Sequence, residues 1–210
     1  LNIAASLNKT LPARPDQQAF TKTTTIMKQL TALFLLTILS LASVNAQKYI
    51  TKNGHIRFFS STPMEDIEAH NRQVNSALDQ QTGDFVFRVL MKSFQFEKAL
   101  MQEHFNENYV ESDKFPNATF TGKVSNIKDV PFDKNGVYPV NVEGDLTIKG
   151  ITKKISQKGT LEIRDGKVIG KSTFNVLLAD YGIKVPAAVA NNIAKSIQID
   201  VDVTLEKLAK

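Results

Sequence analysis

Beyond residue 47 the chain alternates apolar and polar positions with a period of two, the spacing of half-buried β-strands. In the last segment Ile197, Ile199, Val201, Val203 and Leu205 alternate with Gln198, Asp200, Asp202, Thr204 and Glu206. A second run sets Tyr138, Val140, Val142, Leu146 and Ile148 against Asn141, Glu143, Asp145, Thr147 and Lys149. A third places Phe85, Phe87, Val89 and Met91 on one face, with Val86, Arg88, Leu90 and Lys92 on the other. Turn signals separate these runs: Gln81-Thr82-Gly83-Asp84, Asp133 to Gly136, Lys149-Gly150 and Asp165-Gly166. The last is a strong hairpin signal. Pro139 lacks a backbone donor and marks a strand edge or the start of pairing.

Two segments break the rhythm. Residues 96–105 have helical spacing, with Phe96, Leu100, Met101, His104 and Phe105 on one broad side. Residues 185–195 read as a second short helix with Pro186 in its first turn. The pattern therefore predicts an all-β antiparallel barrel with one or two short helices over its openings or edges.

Residues 27–46 change the compartment expected. Met27-Lys28-Gln29 is a short positive region, an apolar run follows, and Val44-Asn45-Ala46 is a small-residue cleavage site. This is the pattern of a cleaved secretion signal, too short to span a bilayer comfortably. Three segments are expected: an upstream stretch 1–26 outside the folded product, a signal peptide 27–46 and one barrel domain 47–210. The product should be periplasmic or extracellular after cleavage near Ala46, without a transmembrane anchor. Of the net charge of +5, residues 1–46 carry +3 and leave +2 for the barrel domain. No clustered basic face suggests a nucleic-acid partner. The chain has no cysteine, which excludes disulfides, thiolate metal sites and cysteine nucleophiles.

Residues 104–120 hold the densest set of chemistry-bearing side chains. His104 sits on the apolar side of the predicted helix, as a core histidine or a ligand contact. His55 and His70 have no ligand spacing to it, so no metal site is expected. Asn106 and Asn108 suit the end of a helix, and Phe115-Pro116 forces extended backbone before the next strand.

Phe115-Pro116-Asn117-Ala118-Thr119-Phe120, following a histidine-bearing helix, resembles a motif of the YceI-like family. So does Gly144-Asp145-Leu146-Thr147-Ile148-Lys149-Gly150-Ile151-Thr152-Lys153. The resemblance runs over nearly all of 48–207, in the form common among Bacteroidetes members. It implies an extended, lipocalin-like, eight-stranded antiparallel barrel whose apolar channel binds a polyisoprenoid or another amphiphilic lipid. Residues 63–80 depart from the better-studied members, being polar with few aromatics where those are aromatic and glycine-rich.

On that reading the channel is expected to be lined by Phe58, Met64, Phe85, Phe87, Phe94, Phe96, Met101, Phe105, Tyr138 and Phe174. Phenylalanine and methionine suit a flexible chain because they make no directional demands. A polar head would meet Arg88, His104, Asn108, Tyr109 and Lys184 at the mouth, with helix 96–105 as a lid. The partner expected is a hydrophobic small molecule or lipid, with no cofactor beyond it. A homodimer through an exposed strand edge is an option. Two other functions compete: a surface interaction or stress-related protein with a filled barrel, and a lipid-modifying enzyme. No Gly-x-Ser-x-Gly elbow, and no nucleophile beside an evident base, supports the enzyme.

Overall fold

The computed structural model describes residues 47–209; the expected upstream segment and signal peptide lie outside the described residues. Among the described residues there are nine strands: β1 (Lys48–Ser61), β2 (Asp66–Asp79), β3 (Asp84–Leu90), β4 (Gln95–Phe96), β5 (Asn117–Val124), β6 (Gly136–Ile148), β7 (Ile151–Arg164), β8 (Lys167–Leu177) and β9 (Ser196–Lys207). Eight of them form an antiparallel up-and-down barrel in the order β1-β2-β3-β5-β6-β7-β8-β9, closed by the pairing of β9 with β1. The ninth, β4, adds two residues to β2. Among the described residues there is one α-helix, α1 (Ala99–His104), which runs on into a π-helical turn over Phe105–Tyr109.

Local chemistry explains the connections. The Lys149-Gly150 and Asp165-Gly166 turns have positive φ at both residues (50° and 74°, 52° and 78°), the backbone that suits a two-residue hairpin. Pro139 pairs with Thr160 of β7 on one side and has no strand partner on the other, where β5–β6 pairing begins only at Val142, in keeping with an edge position. β5 does not reach this level, and Asn126 takes its place. Asn126 Nδ2 donates to Pro139 O at 3.1 Å, and Asn126 Oδ1 accepts from Asn141 N at 3.0 Å. The side of β6 exposed by the missing donor is thus satisfied within the chain.

The first two strands explain why their pattern is hard to read. In β2 the buried positions run Ala69, Asn71 and then Val74, Ser76 and Leu78, so the parity changes after Asn71. Asn71 is fully buried; its Nδ2 donates to Leu90 O at 2.8 Å and its Oδ1 accepts from Gln73 N at 2.9 Å. That pairing supports an extra residue in the ladder, a bulge matched by register shifts near Gly54 in β1.

The interior has two apolar parts. Tyr49, Leu78, Val124, Ile163, Val168 and Leu205 pack solidly at one end of the barrel. Around the other half, Ile56, Val89, Met91, Phe94, Ala118 and Val176 form a wall and not a plug.

Outside the barrel, a polar network ties β2, β1 and β9. Arg57 pairs with Glu68 and with Asp200, each at 2.8 Å, and lies over the Phe59 ring. Phe59 therefore faces outward. Next to it, His70 Nε2–H donates to Glu68 at 2.7 Å, which leaves His70 Nδ1 to accept from His55 Nε2–H at 3.0 Å. Burial, then the charges of Arg72, His70 and Arg57, hold the His55 pKa below its usual value of 6.5, against the opposing pull of Asp202. The folded protein thus binds fewer protons at His55 than the unfolded chain. Stability should begin to fall as pH drops below about 6.5. A further loss should set in below about 4.5, where Glu68, held low by Arg57, takes up a proton. Thermal melts from pH 7.5 to 5 should show the first phase, and His55→Gln should flatten it. An identical slope in that variant would contradict the assignment.

Candidate functional site: an apolar cavity inside the barrel

The inward faces of the strands leave a cavity of about 390 Å³, within the ~300–1,000 Å³ typical of small-molecule sites. Its floor is Phe85, Val140, Leu161, Gly170 and Val203, resting on the solid end of the barrel. The walls rise through Phe87, Phe120, Val142, Leu146, Ile199 and Val201. Near the top, four phenylalanines pack edge to face or stacked: Phe58 lies 5.9 Å from Phe105, 5.5 Å from Phe96 and 6.3 Å from Phe94, and Phe96 lies 5.0 Å from Phe105. Such contacts stiffen the wall without adding polarity.

The top is drawn together by Glu65 at the β1–β2 tip. Its carboxylate accepts from Lys98, just before α1, at 3.1 Å and from Asn192 at 3.2 Å. These two bonds, the Asn192 bond first, hold the Glu65 pKa below the usual carboxylate value. Ser60 Oγ accepts from Ala194 N at 2.9 Å, fastening the same segment to the end of β1. Three separate pieces of chain meet over the cavity in this way.

Of the expected channel residues, Phe58, Phe85, Phe87, Phe94, Phe96, Met101, Phe105 and Phe174 all face the cavity. Met64 does not: it sits on the hairpin tip and is 70% exposed. Tyr138 points inward but below the floor, packed on the solid end, with its hydroxyl donating to Lys134 O at 3.1 Å. Among the expected mouth residues, His104 and Tyr109 reach the cavity. Burial raises the Tyr109 pKa. Arg88 points outward from β3 and donates to Asn117 at 3.1 Å, while Asn108 and Lys184 are exposed away from the lining.

The two helical expectations are also corrected. Phe96 belongs to β4, α1 starts at Ala99, and Leu100 is exposed instead of facing inward. The expected helix at 185–195 is a single 3-10 turn, Ala187–Val189. Helix α1 ends without a left-handed asparagine. Asn106 donates its Nδ2 to Gln102 O at 2.8 Å, and the positive φ (50°) falls at Glu111, whose carboxylate pairs with Lys149 at 2.6 Å.

No group of three or more histidines and carboxylates able to hold a metal occurs among the described residues. No helix among them is long and apolar enough to cross a membrane.

A closed eight-stranded antiparallel barrel with an apolar internal cavity is a lipocalin-like architecture. The sequence profile of the YceI-like domain matches residues 42–205, and the chain belongs to that family. Its fold is similar to a polyisoprenoid binding domain from Saccharophagus degradans implicated in plant cell wall breakdown. The TM-score is 0.68 at 14% identity, over 78% of this chain and 99% of that one. It is also similar to BcnA of Burkholderia cenocepacia, with a TM-score of 0.59 at 15% identity over 72% and 95% of the two chains. No curated protein matches.

Proposed function

We propose that this chain is an exported carrier that holds the tail of a chain-shaped amphiphile, such as a polyisoprenoid, inside the barrel. The observation that carries this reading is the cavity: aliphatic and aromatic side chains supply nearly all of its wall, above a solid floor. Burying apolar surface supplies about 25 cal/mol per Å², and that contribution does not depend on the detailed chemistry of the tail. Among the polar lining residues, Glu65, His104, Tyr109 and Asn192 lie near the top, where they can meet a head group. The likeness to a polyisoprenoid binding domain supports the ligand class, and the signal-like segment 27–46 supports a periplasmic or extracellular setting.

A blind cavity reads chain length. For straight-chain alcohols, each added methylene that is buried contributes about 0.8 kcal/mol, roughly fourfold in affinity. Affinity should climb with length and then level off once the tail reaches the floor formed by Phe85 and Leu161. Competition titrations over a length series check this. Affinity that does not change with length would overturn the reading.

A further inference from the structure

The barrel is not paired along its whole circumference. β7 pairs with β6 through thirteen residue pairs, Gly136–Ile148 against Ile151–Ile163, yet with β8 only from Thr160↔Lys171 to Arg164↔Lys167. From there β7 and β8 part. Residues 151–159 of β7 and 172–177 of β8 each keep one strand neighbour, and only on the far side. At the fork, Ser172 Oγ donates to Lys158 O at 2.7 Å. At the top the split ends where Ile151 meets Gly182. About seven residues of β7 therefore border an opening roughly 23 Å long, at ~3.3 Å per residue.

The cavity reaches this opening from inside, for its lining includes Ile155 and Gln157 on one lip and Ser172 and Phe174 on the other. By contrast, the end of the barrel is fastened by the bonds of Glu65 to Lys98 and Asn192. The open edge of β7 also carries exposed Lys153, Lys154 and Lys158, none in an ion pair with a described residue. Lysines along an edge discourage the addition of another strand.

We propose that the split between β7 and β8 is the portal through which an apolar chain passes sideways into the cavity. The proposal rests on the carrier reading above and adds the route. A chain can slide between two lips whose inner side chains already line the cavity, and the fastened top need not open.

The absence of cysteine permits a direct test on the full chain. Asn175→Cys places one thiol outside the β8 lip, and Met64→Cys places one on the hairpin tip at the end of the barrel. Each is joined to the same large polyethylene-glycol maleimide, and uptake and release of dansyl-labelled undecanoic acid are followed by stopped flow. The Asn175 conjugate should slow both rates tenfold or more with its equilibrium affinity unchanged. The Met64 conjugate should match the unmodified protein. Slowing only at Met64, or at neither site, overturns the portal while leaving the carrier reading intact. Unmodified protein that takes up no probe sinks the carrier reading and the portal with it. If the unlabelled chain is a dimer and the Asn175 conjugate a monomer, the split is a pairing edge between copies, and the portal is wrong.

Discussion

Ile199→Asp should reduce the affinity for any long apolar chain by about 100-fold or more while the barrel stays folded. Ile199 faces the cavity from β9, between Phe58 of β1 and Phe174 of β8 in register. In the empty protein the new carboxylate can keep water around it. A bound tail would have to strip that water and offer no partner in return, a loss of about 3 kcal/mol or more. Ile199→Leu keeps the surface apolar and should change affinity by little. Paired titrations and far-ultraviolet circular dichroism check the result. Unchanged affinity in a folded Ile199→Asp protein would mean that chains bind elsewhere.

Gly122→Ala should cost about 1–3 kcal/mol of stability, a fall of roughly 2–4 °C in Tm for each kcal/mol in a domain of this size. Gly122 and Gly144 face each other across β5 and β6, with the Phe120 ring laid over both. A Cβ at Gly122 would lie 2.2 Å from Glu143 O and 2.5 Å from Phe120 Cζ. At Gly144 it would lie 2.5 Å from Gly122 Cα and 2.8 Å from Phe120 Cζ. The bare backbone lets the ring lie against the wall instead of standing in the cavity. Adding Phe120→Leu to Gly122→Ala should recover only part of the loss, because the Glu143 carbonyl belongs to the backbone and cannot move aside cheaply. Thermal melts of both single variants and the double variant check this. Full recovery would show that the ring alone limits the site.

The alternating segments made most of the barrel legible. Wherever one face of a strand is apolar and the other wet, as in β6 and β9, parity names the inward residues. Val142, Leu146, Ile199 and Val201 all come from that rule and all line the cavity. Selecting lining residues by type, as soft or aromatic side chains, was less reliable. It brought in Met64, which the hairpin tip carries into solvent, and Tyr138, which lies below the floor. Parity failed in β2, where the bulge after Asn71 shifts the buried set by one residue and a run of polar letters hides a strand. The mouth was the least legible part. Glu65 and Asn192 are 127 positions apart in sequence and meet only through the closed topology. Arg88 and Lys184 carry suitable charges, but no local pattern says which end of a strand or loop a charge will face. Only the pairing register reveals where β7 and β8 part, although Lys153 and Gln157 on the inward parity of β7 interrupt its alternation there.

The central claim is that the barrel holds a lipid-sized chain. Native mass spectrometry on residues 47–210, secreted and gently purified from the native host and followed by organic extraction, tests it most directly. The account predicts an added mass that survives native conditions, leaves on extraction and proves to be a long apolar chain. Protein that emerges at its bare mass, and stays bare after incubation with prenyl alcohols, would contradict it.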